Sequence, residues 1–162
     1  MSNLQLFIRL ATYADADLIA RITRDAWKNT VSEESGAHRD NADSVLHDLQ
    51  AGGGLIASIN DQAVASLRWF NLDTTTRELK RMGVLAEYRG QGVAQKLMTE
   101  AIQIAKQDGV ADLRLAVRVD QPQLVKAYEL IGFRIDDTLI YSHANPLSPP
   151  PVVMRLALLR DF

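Results

Sequence analysis

Cysteine is absent from the 162 residues, which excludes a disulfide framework, a thiolate metal site and a cysteine acyl-enzyme intermediate. Histidine is scarce: His38, His47 and His143 stand apart, without the His-x-x-x-His or His-Glu-x-x-His spacing of a zinc site, so no metal is expected. An excess of positive charge is missing too. Lys and Arg number 18 against 20 Asp and Glu, and no basic cluster suggests a nucleic-acid groove. No apolar run approaches the roughly 20 residues of a membrane helix, and Met1-Ser2-Asn3-Leu4-Gln5 lacks the charged and apolar regions of a secretory signal. The expectation is a cytoplasmic protein with neither nucleic acid nor membrane as partner.

What is present is an ordinary globular balance, 47% hydrophobic and 23% charged, in a length that suits a single domain over residues 1–162. Leu4 to Leu10 reads as a first strand. Asp15 then stands where a helix is capped, before Leu18, Ile19, Ile22 and Ala26 recur at helical spacing. After the polar stretch from Thr30 to Asn41, a second helix is expected over Ala42 to Gln50, broken by Gly52-Gly53-Gly54. Leu55 to Ile59 and Ala63 to Phe70 form a hairpin about Asn60-Asp61, and another strand runs from Glu78 to Leu85.

The strongest helix signal follows, with Val93, Leu97, Ala101, Ile104 and Ala105 on one stripe and Gly109 at its end. Leu113, Leu115, Val117 and Val119 alternate as a strand does. Gln121 to Ile131 returns to helical spacing, with Pro122 in the first turn. Two last strands, Phe133 to Tyr141 and Val152 to Leu159, flank a proline-rich connection that cannot pair in a sheet.

The junction Arg89-Gly90-Gln91-Gly92-Val93-Ala94 carries the chemistry, because glycines admit a ligand close to the backbone and a helix start offers unpaired N–H groups. A P-loop is absent, and a dinucleotide fingerprint fails where Gln95 stands. What remains, Arg-x-x-Gly-x-Ala at Arg89, Gly92 and Ala94, resembles the pyrophosphate loop of the GCN5-related N-acetyltransferase (GNAT) superfamily. Tyr128-Glu129-Leu130-Ile131-Gly132-Phe133 is similar to the Tyr-x-x-x-Gly-Phe ending of that family's later helix, and the order of elements agrees along nearly the whole chain.

The resemblance implies an α/β (α+β) fold: a central mixed, mostly antiparallel sheet of about seven strands flanked by about four helices. It implies acetyl-CoA or CoA as co-substrate, an amine acceptor as partner, and direct acetyl transfer to a primary amine of a small molecule or protein. Family members often dimerise, so a homodimer is an expectation. The other reading of the same motifs is a noncatalytic acyl-CoA-binding module. Carried over by residue, main-chain groups near Met82 and Val84 bond the pantetheine arm, while Arg89, Gly90, Gln91, Gly92, Val93 and Ala94 hold the pyrophosphate. Gln121 stands where the family often has Asn against the coenzyme arm.

Tyr128 resembles the family's proton donor to the thiolate, a role its phenol can fill. Glu78, at the start of the coenzyme strand, is the candidate base, with Glu33, Glu34, Asp73 and His143 as alternatives. A bulge at Met82 to Val84, using unusual angles at Gly83, would free an N–H to polarise the acyl carbonyl, although Gly83 serves close packing equally well. Residues 30–41, the Asp73 region and Tyr141 to Pro151 are expected to shape the acceptor pocket, with Trp27, Trp69 and Tyr141 as candidate linings.

Overall fold

A computed structural model describes residues 5–28, 40–141, 146–147 and 149–158. The apolar run near the start becomes an outer strand, β1 (Leu6–Leu10). The chain then turns about Asp15, whose carboxylate accepts the Thr12 N–H at 2.7 Å and both ends of the Arg9 guanidinium at 2.8 and 2.9 Å. Helix α1 (Ala16–Trp27) leaves from that turn and buries Ile19, Ala20, Ile22 and Ala26. Helix α2 (Ala42–Ala51) starts from Asn41, whose side chain accepts the Ser44 N–H while the Ser44 hydroxyl accepts the Asn41 N–H.

Strand β2 (Gly52–Ile59) begins directly at the end of α2, so Gly52-Gly53-Gly54 is the first part of a strand and not a separate breaker. The reason is Trp69. A Cβ at Gly53 would lie 2.9 Å from the Trp69 ring and one at Gly52 only 2.1 Å from the Trp69 carbonyl, so only glycine lets β2 cross there. Strand β3 (Gln62–Asn71) returns through Asn60 and Asp61, whose φ values of 50° and 67° suit a two-residue hairpin turn.

Strand β4 (Thr76–Val84), helix α3 (Val93–Gln107), strand β5 (Asp112–Val117) and helix α4 (Pro122–Ile131) follow, then β6 (Arg134–Ile135) and β7 (Val152–Ala157). The expected strand from Phe133 to Tyr141 is thus only two residues long. It pairs with β7 at Arg134 and Ile135, and then the Asp136 carboxylate accepts the Thr138 N–H at 3.0 Å, a side-chain turn that diverts the backbone.

Among the described residues seven strands form one sheet in the order β1-β2-β3-β4-β5-β7-β6. Only β4 and β5 pair in parallel; all other neighbours are antiparallel. Leu97 and Ala101 of α3 pack with Leu67, Trp69 and Leu113 of the sheet. On the other face Ile19, Ala20, Val45 and Leu49 of α1 and α2 close over Ile56. Among the described residues, no helix is long and apolar enough to cross a membrane.

Candidate active site

Strands β4 and β5 stay paired only from Thr76 to Glu78 against Asp112 to Arg114. Beyond that point they part, leaving the β5-facing edge of β4 without a strand partner. The opening is a cleft of about 410 Å³ between Leu79, Met82 and Val84 on one side and Leu115, Val117 and Tyr128 on the other. A second hollow of about 510 Å³ continues it to Gly90, Gly92 and Val93, sharing Met82, Val84 and Tyr128 with the first.

Strand β4 bulges where it lines the cleft. Ser66 lies opposite Gly83 and Arg68 opposite Lys80, so Leu67 faces two residues, Arg81 and Met82. The residue in the left-handed region is Arg81, with φ 57°, so of the two uses open to Gly83, unusual angles and close packing, the second holds. Gly83 lets α1 settle on β4: a Cβ there would lie 2.9 Å from Trp27 Nε1 and 3.0 Å from the Ala26 Cβ.

At the start of α3, Gly90 and Gly92 have φ of 76° and 81°, and a Cβ on either would meet nothing within 4 Å. No side chain caps the helix, and its first turn holds no acidic residue. Its leading N–H groups and the positive end of its dipole therefore face open space, which suits a pyrophosphate. Val93 and Ala94 line the hollow as well. Gln91 does not; its amide donates to the Glu87 carbonyl at 3.2 Å. Arg89 is directed elsewhere too, its Nε donating to the Val84 carbonyl at 3.0 Å and its terminal nitrogen to the Ala26 carbonyl at the end of α1. That side chain fastens strand, loop and helix together, and the donors left facing the hollow at the helix start are main-chain N–H groups.

Tyr128 lies on α4 where the two hollows meet, edge-on to Phe133 at 5.9 Å between ring centroids. Burial pushes its hydroxyl up to about 12, so it stays protonated through the neutral range. Gln121 lines the wider cleft from the start of α4, accepting a hydrogen bond from Gln123 at 2.7 Å. Glu78 is the third residue of β4, 2% exposed, and does not line the cleft. Its charge acts on Tyr141, whose hydroxyl is pushed up to about 12 chiefly by burial, with Glu78 and Asp48 raising it further and Arg81 and Arg68 opposing them. Trp27 borders the cleft; Trp69 belongs to the core, with Arg77 stacked 5.1 Å above its ring. Asp73 caps the turn before β4 by accepting the N–H groups of Thr75 and Thr76, each at 2.8 Å. Glu33, Glu34 and His143 lie outside the described residues.

Behind the cleft sits an ionic network that was not expected. Arg68, fully buried on β3, donates to Asp48 at 2.8 Å and to Asp40. Lys80 lies 3.2 Å from Asp48, and burial lowers its pKa. Arg81 Nε lies 3.5 Å from Asp40. The available signal was an arginine inside the apolar run Ala63 to Phe70, since a buried charge needs a partner. No spacing rule could have named Asp40 and Asp48, 28 and 20 residues away. Among the described residues no group of acidic and histidine side chains is arranged to hold a metal ion.

The sheet opens beside a glycine-lined helix start, and the cleft between the two strands runs on to that uncapped helix end. Residues 17–133 match the sequence profile of the acetyltransferase (GNAT) family, and the chain belongs to that family. It is 36% identical over 70 residues to the mycothiol acetyltransferase of Corynebacterium aurimucosum, a stretch that is 43% of this chain and 23% of that protein. The chain spans 23% to 35% of the length of the curated relatives it matches. Its fold is that of the PaiA N-acetyltransferase of Thermoplasma acidophilum, solved with coenzyme A: TM-score 0.77, 21% identity, over 98% of this chain and 100% of that one. It is also that of YncA from Salmonella typhimurium, solved with acetyl-CoA: TM-score 0.74, 17% identity, over 96% and 95%.

Proposed function

We propose that the chain transfers an acetyl group from acetyl-CoA directly to a primary amine. The observation that carries this reading is the continuity of one cleft. It joins the uncapped start of α3 to the unpaired edge of β4, and it ends at a tyrosine hydroxyl with no hydrogen-bond partner among the described residues. The residues fit the co-substrate: open space above Gly90 and Gly92 admits a pyrophosphate, and the freed edge at Met82 and Val84 offers main-chain partners to the pantetheine amides.

With the thioester held there, the neutral amine attacks its carbonyl carbon, the C–S bond breaks, and Tyr128 protonates the departing sulfur. The amine proton passes to Glu78 through an intervening water, since Glu78 is too deeply set to line the cleft itself. No cysteine exists to form an acyl-enzyme, which favours direct attack. The reading needs no metal and places the protein in the cytoplasm, as a monomer or a homodimer.

The test incubates the purified chain with acetyl-CoA and an amine panel, and reads acetylated product by mass spectrometry together with released CoA. Stoichiometric product and CoA are expected; tight coenzyme binding with no product would make the chain a binding module. Glu78→Gln should lower turnover and change the acidic limb of the pH-rate profile at nearly constant acetyl-CoA affinity. An unchanged limb and rate would remove Glu78 from the mechanism.

A further inference from the structure

Among the described residues, the charged side chains that line the wider cleft are Lys80, Arg81, Arg89 and Arg118, and all four are cations. The carboxylates of the same region, Asp40, Asp48 and Glu78, stand behind them and are not part of the lining. Three of the cations are occupied. Lys80 is held by Asp48 at 3.2 Å, Arg89 by the carbonyls of Val84 and Ala26, and Arg118 by Asp120 at 3.1 Å.

Arg81 differs. Among the described residues its one ionic neighbour is Asp40, 3.5 Å from Nε, and that nitrogen is buried without a hydrogen-bond partner. Asp40 is itself committed to Arg68 and to the Ser44 hydroxyl. The guanidinium carbon stands 6.0 Å from the Trp27 ring centroid, and the side chain keeps 22% of its surface exposed. The planar end is thus steadied on one side by an aromatic face while its terminal nitrogens turn no donor to a described residue. Arg81 also occupies the left-handed position of the bulge, at φ 57°, a conformation that costs an L-residue energy and that glycine would adopt freely. The bulge therefore aims a forked donor into the cleft.

We infer that the acceptor is an amine that also carries a carboxylate, which Arg81 binds through its guanidinium fork. This rests on the acetyl-transfer reading above. A carboxylate matches the fork with two parallel hydrogen bonds. The coenzyme phosphates do not compete for it, because Arg81 does not line the hollow at Gly90 and Gly92. Arg81, whose charge no close hydrogen-bonded carboxylate among the described residues offsets, acts against a polyamine in the cleft.

The experiment measures kcat/KM with acetyl-CoA for matched acceptors: free α-amino acids against their α-amides, peptides beginning with Asp or Glu against those beginning with Asn or Gln, and spermidine. In at least one matched set the carboxylate form should lead on the order of 10- to 100-fold, the worth of a charge-assisted hydrogen bond. Which set leads distinguishes a free amino acid from an acidic peptide. Arg81→Asn, which tolerates the left-handed backbone, should erase the preference through a raised KM while acetyl-CoA affinity stays constant; Arg81→Gly serves as the second variant, with circular dichroism reporting the fold of each. Equal rates for acids and amides, spermidine as the best acceptor, or a preference that survives both variants would overturn the inference and leave acetyl transfer standing. Coenzyme binding without transfer to any acceptor would overturn both the inference and the transfer step.

Discussion

Where α3 begins, the walls of the cleft are main chain. Gly90 and Gly92 turn their backbone to open space, and the nearest guanidinium, that of Arg89, is spent on two protein carbonyls. Around Arg68, Lys80 and Arg81 the construction is the reverse. There charged side chains from β3 and β4 meet carboxylates at Asp40 and Asp48, brought close only by the packing of α2 on the sheet. A site made of backbone can be built by a few consecutive residues and tolerates little change in any of them. A site made of side chains depends on the whole fold and leaves each position its own chemistry.

The sharpest way to separate the two regions is to break the ionic one. Arg68→Met leaves Asp40 and Asp48 without their buried guanidinium, and removing one partner of a buried pair costs about 3–5 kcal/mol. Chemical denaturation should register that loss, while the variant that remains folded should bind acetyl-CoA with nearly wild-type affinity. A large fall in affinity at unchanged stability would show that the two regions are not independent.

Tyr128 stands between the regions, and Tyr128→Phe keeps its packing against Phe133 while deleting the hydroxyl. Turnover should fall about 10²- to 10⁴-fold, the usual worth of general acid catalysis, with coenzyme affinity little changed. Steady-state kinetics beside calorimetry reads both. Wild-type turnover would assign the sulfur's proton to another group.

The contrast also explains what the sequence disclosed. The glycine loop, the apolar stripe of α3 and the ring at Tyr128 were legible because each is set by near neighbours in the chain. The bulge was anticipated in the right strand. For Gly83 the sequence leaves two uses open, the unusual angle and close packing; tertiary structure decides for the second, which seats Trp27, while Arg81 adopts the angle. The ionic network stayed hidden for a related reason: each of its ion pairs joins residues at least 20 apart in sequence, and no local pattern links them. The strand expected from Phe133 to Tyr141 is cut short because the turn at Asp136 competes with sheet pairing through a single side-chain oxygen.

A smaller effect, far from both regions, checks that stability and chemistry are being read separately. The Arg9 guanidinium, followed by the Thr12 N–H, holds the Asp15 carboxyl well below the usual carboxylate range. A depressed carboxylate adds stability that is present above the unfolded value near 4 and is lost as pH falls from there towards the folded value. With Arg9 more than a third exposed, the pair is worth roughly 1 kcal/mol or less. Asp15→Asn should therefore remove a small acid-dependent component from melting curves recorded below about pH 4, and leave acetyl transfer untouched.

The central claim is that the backbone at the start of α3 holds the pyrophosphate of acetyl-CoA, and calorimetric titration of Gly92→Val with acetyl-CoA tests it most directly. A β-branched residue at φ 81° puts its side chain into the open space above the helix start, at a conformational cost of roughly 1–2 kcal/mol that a folded domain can absorb. The account predicts a folded protein by circular dichroism with no measurable coenzyme binding. A folded variant that binds acetyl-CoA with wild-type affinity would contradict it.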